Sequence, residues 1–175
     1  MQQIDADNYT KQHKTLVMTV LMTPDMANFS GYVHGGATLR LLDQVAFACA
    51  SRYSARYVVT VSVDQVMFRE PTRVGELVTF TASVNYTGRS SMEIGIRVVA
   101  EDIRTQHQRH VMTCYFTMVA VDDDRKPAEI PQLHVETETD MRRWKAAKLR
   151  RLLRKEIEER NLEIRLHPED VEKGG

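Results

Sequence analysis

The 175-residue sequence contains only two cysteines, Cys49 and Cys114. They lie far apart inside apolar segments and form no C-x-x-C pair, so the pattern points to reduced core thiols in a cytoplasmic compartment rather than to a disulfide framework. Long apolar runs are missing as well. No stretch approaches the roughly 20 apolar residues that a membrane-spanning helix needs, and the opening Met1-Gln2-Gln3-Ile4 carries no basic-then-apolar leader, so no membrane insertion is expected. No second His or Cys stands at ligand spacing from His34, which argues against a metal site. Net charge is absent too, with 24 Lys and Arg against 24 Asp and Glu. That zero hides an uneven distribution towards the C-terminal end.

What is present is organised around Asn28 to Tyr53. A polar, Gly-rich loop, Asn28 to Gly36, runs into a helix that is apolar on nearly every side yet carries Asp43 in its middle. On a helical wheel Asp43 falls between Leu39, Ala46 and Ala50 on one side and Phe47 on the other, which places it where water is scarce. With Leu41, Leu42, Val45, Ala48 and Cys49 filling the rest of the circumference, the helix expects to be wrapped all round.

The flanking segments supply a wrapper. Residues 14–22 read as a strand ended by Thr23-Pro24-Asp25, and 57–68 alternate with period two before Pro71 and Gly75. Residues 77–86 place Val78, Phe80, Ala82, Val84 and Tyr86 on one face, residues 92–98 alternate again after the Gly88-Arg89 turn, and a last strand covers about 109–121. Short turns and no intervening helix make the last three an antiparallel meander, so a βαβ arrangement is not expected. The expected fold is α+β of hot-dog type: a curved antiparallel sheet wrapped around one long apolar helix over residues 1–130, with a linker, a basic helix and a polar tail over 131–175. That second helix spans about 137–159, and between Arg142 and Lys155 it holds eight Lys or Arg and no acid. Residues 1–12 and the tail from His167 to Gly175 are expected to be loosely held.

Taken together, several pieces in order resemble the hot-dog acyl-CoA thioesterases of the acyl-CoA hydrolase family, the cytosolic long-chain acyl-CoA hydrolases and their bacterial relatives. They are Asn28 with Gly31 and His34-Gly35-Gly36, Leu42-Asp43, Val61-Ser62-Val63-Asp64 with Phe68 and Pro71, Gly75-Glu76, and Gly88-Arg89-Ser90-Ser91-Met92-Glu93. The resemblance covers roughly residues 14–130 and leaves out the basic helix. It implies an Asn and an Asp as catalytic pair, here Asn28 and Asp43. It also implies hydrolysis of acyl-CoA to free acid and CoA, with CoA as substrate or product and no cofactor, in hot-dog dimers that often assemble three to a hexamer. Gly75-Glu76 departs from the more frequent Gly-Asp, a conservative change at a turn.

The chemistry fits these residue types. A helix N-terminus preceded by Gly35 and Gly36 offers unpaired N–H groups and a positive dipole end to a carbonyl oxygen that becomes negative. Asn28 adds an amide donor, and Asp43 serves as general base or nucleophile. Gly36 and Asp43 are seven residues apart, roughly 10 Å along a helix axis, whereas a reacting carbon sits about 3 Å from both partners. Asp43 is therefore expected to act across a dimer interface on a thioester held by the other chain. Arg89, Ser90 and Ser91 are candidates for CoA contacts, beside the plainer reading of a hairpin connection. His34, Thr60 and Ser62 are candidates to line the site, with His34 also shaping the loop. The competing function is a non-catalytic acyl-CoA-binding regulator whose basic helix touches nucleic acid. The lack of a helix-turn-helix weighs against nucleic acid, and the apolar residues among the charges suggest that the helix packs on a neighbouring subunit.

Overall fold

The computed structural model describes residues 13–166, so the expectations for residues 1–12 and for the tail from His167 lie outside the described residues. The chain divides into two compact units, Met1–His134 and Val135–Gly175.

The first unit contains β1 (Thr15–Leu21), a single 3-10 turn (Pro24–Met26), α1 (Gly35–Ser54), β2 (Tyr57–Val63), β3 (Leu77–Thr87), β4 (Ser91–Glu101) and β5 (Gln108–Val121). The five strands form one antiparallel sheet in the order β1-β3-β4-β5-β2. α1 packs against every one of them, which is the hot-dog arrangement. Alternation in the strands places Phe80, Ala82, Ile94, Ile96, Met112, Cys114 and Phe116 in the buried core with Leu42, Val45, Ala46 and Cys49 of the helix. A cavity left at a site such as Leu42 would cost about 2–5 kcal/mol.

Three expectations for this unit need correction. The helix is not wrapped all round within one chain. Its buried residues Leu41, Leu42, Val45, Ala46, Cys49, Ala50 and Tyr53 form one stripe, while Leu39, Asp43 and Phe47 are exposed. Five strands curl around only one side of a helix. The water-poor surroundings expected for Asp43 are therefore not provided by its own chain.

The strand expected over 57–68 ends at Val63. A bulge between Thr60 and Ser62 leaves Val61 without a counterpart on β5. Beyond it the chain stays beside β5 with irregular bonds, Asp64 N–H to Tyr115 C=O at 2.9 Å and Arg69 N–H to Val111 C=O at 3.1 Å. Bulges bend and twist a strand locally, here on the edge strand that carries Thr60.

A second bulge breaks the alternation expected for β3. Val84 pairs with Ile94 but Tyr86 pairs with Glu93, so Asn85 is the extra residue. Beside this bulge Ser83, Asn85 and Glu93 are buried polar groups. They satisfy one another, Ser83 Oγ with Asn85 Oδ1 at 2.8 Å and Asn85 Nδ2 with Glu93 Oε1 at 3.4 Å.

In the second unit α2 (Glu138–Leu166) extends past the expected end. It starts with a reciprocal cap in which Asp140 N–H donates to Thr137 Oγ1 and Thr137 N–H to Asp140 Oδ2. The pairs Lys155–Glu159 and Glu156–Arg160, each four residues apart, support the added turns. Lys148 stands over the Trp144 ring at 5.3 Å from its centroid. Among the described residues no helix is long and apolar enough to cross a membrane.

Candidate active site

The loop ahead of α1 is built on Asn28. Its Oδ1 accepts from Ser30 N–H at 2.9 Å and Tyr32 N–H at 3.2 Å, and its carbonyl accepts from Gly31 N–H at 3.0 Å. Gly31 turns the chain at φ +78°, a conformation in which a Cβ is strained. With the amide oxygen committed to the loop, the Asn28 Nδ2 group is the part of the side chain left to donate outwards.

His34 is the N-cap of α1. Its Nδ1 accepts from Gly36 N–H at 3.1 Å, and its carbonyl accepts from Ala37 and Thr38 at 2.9 and 3.2 Å. The ring thus does more than shape the loop: it uses the Gly36 amide that the sequence offered to a substrate, and a Cβ on Gly36 would stand 3.4 Å from that Nδ1. Between this helix end and the Asp25–Ala27 turn lies a depression of about 360 Å³ with His34, Gly36 and Arg40 in its wall. A larger depression, about 610 Å³, lies at the start of α2 and contains none of the candidate residues.

Asp43 sits mid-helix on the exposed side, and the Thr60 hydroxyl donates to its Oδ1 at 2.7 Å. Thr60 also lies 3.5 Å from Met118 Sδ. Ser62, past the bulge, is half-buried and pairs with Thr117. Around Asp43 an apolar surface is left uncovered. Leu39 and Phe47 of α1 join Tyr57, Val59, Val61 and Val63 of β2, with Phe47 and Tyr57 packed edge to face at 5.8 Å. β2 is an edge strand, so its outer backbone groups are unpaired in the sheet.

The candidate residues fall into two groups. Thr60 is level with Met118 and Met92, and Ser91 with Val119 and Val59, so the Arg89–Ser91 turn belongs to the end of the sheet where Asp43 is held. Asn28, His34, Gly35 and Gly36 belong to the other end, where Val33 N–H bonds to Thr72 C=O, Tyr32 bridges to Arg73 and Gly35 approaches the Phe68 ring. The Arg89 turn is itself anchored, its carbonyl accepting from Ile130 N–H at 3.0 Å and that of Ser90 from Ala120 N–H at 2.8 Å.

One supporting element escaped the sequence. Glu76, read there as a turn residue, is buried and forms a two-pronged ion pair with Arg109, Oε1 to Nη1 at 2.7 Å and Oε2 to Nη2 at 2.8 Å. Its Oε2 also accepts from Arg73 N–H at 2.8 Å. Burial pushes this carboxyl up, but the Arg109 guanidinium and the Arg73 amide outweigh it and hold the pKa below the usual range. The pair fixes the 71–76 segment against which Tyr32 and Val33, between Asn28 and His34, are bonded. No local pattern links positions 33 residues apart.

Among the described residues no group of three or more His, Cys, Asp or Glu could hold a metal ion. Residues 30–106 match the family described as the thioesterase superfamily. Protein VdlD of Helicobacter pylori is 46% identical over 151 residues, 86% of this chain and 84% of that protein. The cytosolic acyl coenzyme A thioester hydrolase of Rattus norvegicus is 34% identical over 134 residues, 75% of this chain but only 35% of the longer rat protein. A solved apo-hexameric acyl-CoA thioesterase superposes with a TM-score of 0.80 at 32% identity, over 83% of this chain and 93% of its own. By sequence and by fold, the chain belongs to the thioesterase superfamily, among its hot-dog acyl-CoA hydrolases.

Proposed function

We propose that the protein hydrolyses acyl-CoA thioesters to free carboxylic acid and CoA at sites shared between two copies of the chain. The observation that carries this reading is Asp43, held by Thr60 in the middle of an uncovered apolar face. An edge strand with exposed Val and Tyr side chains, beside a helix face bearing Leu39 and Phe47, suits a two-fold pair in which the same surface meets itself. Such pairing would bring the partner's Asp43 to the Asn28 and helix N-terminal end of the first chain, and would bury a carboxylate that is exposed in one chain.

In this mechanism the thioester carbonyl oxygen accepts from Asn28 Nδ2 and from the Gly35 amide, aided by the helix dipole. Gly36 contributes close approach rather than its N–H, which His34 holds. Asp43 takes a proton from water, whose oxygen adds to the carbonyl carbon. The tetrahedral oxyanion then collapses, the C–S bond breaks, and the CoA thiolate takes up a proton. Direct attack by Asp43 is the other route open to the same geometry. Loss of one oxyanion donor typically lowers the rate by about 10²-fold or more. Arg89, Ser90 and Ser91 are assigned to CoA, and Ser62 to the wall beside Thr60. The regulator reading has no use for a carboxylate held by a hydroxyl within the binding face. A contact of α2 with nucleic acid is likewise not part of this function.

The test is thiol release from a panel of acyl-CoA substrates by the wild type, by Asn28→Ala, by Asp43→Ala and by the two variants mixed under subunit exchange. Each variant alone should be inactive, and the mixture should regain up to a quarter of wild-type activity, since half of the dimers formed at random are mixed and each has one intact site. No release by the wild type would remove the enzyme, and no recovery on mixing would remove the shared site.

A further inference from the structure

We infer that α2 pairs antiparallel with the α2 of a second copy, as an interface separate from the β2 edge. On a helical wheel Ala146, Leu149, Leu153, Ile157 and Ile164 share one side. The four larger residues of this stripe are between 47% and 58% exposed. Arg160 also falls on the stripe and is tied to Glu156 at 2.8 Å. From Glu156 to Leu166 every residue is exposed, and a solitary helix end of this length is marginal in water.

The occupant follows from the charge order and from the symmetry of the stripe. Residues 142–155 carry eight Lys or Arg and no acid, whereas 156–166 carry four Glu and two Arg. Parallel pairing would set basic half against basic half. Antiparallel pairing sets each basic half against an acidic one. With the two-fold axis level with Lys155, Leu153 meets the partner's Ile157, and Ala146 meets the partner's Ile164. Lys145 and Glu163 lie on the same edge of the stripe, so each comes near the other's counterpart across the axis. This is the self-complementarity a two-fold interface requires. An anionic lipid surface or nucleic acid suits the basic half but would be repelled by the acidic half, which carries part of the same stripe. If the β2-edge pair proposed above also forms, two different two-fold interfaces close into a tetramer or a hexamer.

The experiment is sedimentation of the full chain, wild type against the double variant Leu153→Glu with Ile157→Glu, whose positions are exposed and outside the proposed site. The variant should lose one level of assembly, from hexamer or tetramer to dimer, with thioester hydrolysis retained. A fall from dimer to monomer would keep the helix pair and remove the β2-edge pair. In parallel, Leu153→Cys and Ile157→Cys chains mixed under oxidation should cross-link to each other more than to themselves. Unchanged mass without that cross-link overturns the inference. So does stripe-dependent pelleting of the chain with phosphatidylserine vesicles without the cross-link, which would assign the stripe to lipid.

Discussion

Thr60 and Asp43 lie 17 positions apart, on β2 and α1, and are joined by a 2.7 Å hydrogen bond from the hydroxyl to the carboxylate. The bulge that follows Thr60 bends the edge strand where this bond forms. Thr60→Val keeps the shape of the side chain and removes the donor. A hydrogen bond to a charged group contributes about 1.5–3 kcal/mol, so kcat should fall roughly tenfold to a hundredfold. KM should change little, because in the proposed mechanism Thr60 positions Asp43 and does not hold the thioester. Steady-state kinetics read the split, and a rise in KM with kcat preserved would assign Thr60 to binding instead.

The Glu76–Arg109 pair predicts a pH-dependent stability. The folded-state pKa of Glu76 is lowered, so its contribution is complete above the unfolded carboxylate value of about 4.3 and is lost as pH falls through the lower folded value. Arg109→Met leaves a buried carboxylate without its partner and should cost about 3 kcal/mol at neutral pH. Urea unfolding of wild type and variant across pH 2–7 checks this. The two curves should converge at the acid end, and a pH-independent gap would refute the assignment.

Ala55 ends α1 in the left-handed region, at φ 52° and ψ 33°. Glycine adopts that conformation without the Cβ penalty, although it adds freedom to the unfolded chain. Ala55→Gly should therefore raise stability by about 0.5 kcal/mol without touching activity. A fall in melting temperature would contradict the cap.

Burial pushes both cysteine thiols up to about 12, with Asp64 adding to the effect at Cys114 and Arg52 opposing it at Cys49. The thiolate is the reactive form. A chromogenic disulfide reagent should therefore find no reactive thiol in the folded protein and two after denaturation. Fast modification of the native state would place a cysteine nearer the surface than the fold does.

The elements were legible wherever one periodicity ran unbroken. Period two identified β3 and β4, and the apolar density of 38–50 identified α1 as the centre. The misses have physical causes. A helical wheel shows that Asp43 has apolar neighbours but not which flank faces the sheet, and Leu39 and Phe47 border an uncovered face rather than the core. Bulges at Val61 and Asn85 reverse the alternation and leave no signal in a pattern of small and β-branched residues. Within the candidate site, Asn28, His34 and Asp43 were readable from the loop-helix junction. The side-chain bonds that define them were not: His34 caps Gly36 over two residues, and Thr60 reaches Asp43 over 17.

If Asn28 and Asp43 serve separate half-sites as proposed above, a faulty chain becomes contagious. In a two-fold pair that shares its sites, a chain lacking only Asn28 spoils one site when paired with a normal chain and leaves the other working. A chain lacking both Asn28 and Asp43 spoils both, because each site draws one of its two groups from that chain. Activity in such a mixture would then fall with the square of the normal fraction rather than in proportion to it. The doubly defective chain would be dominant over the intact one.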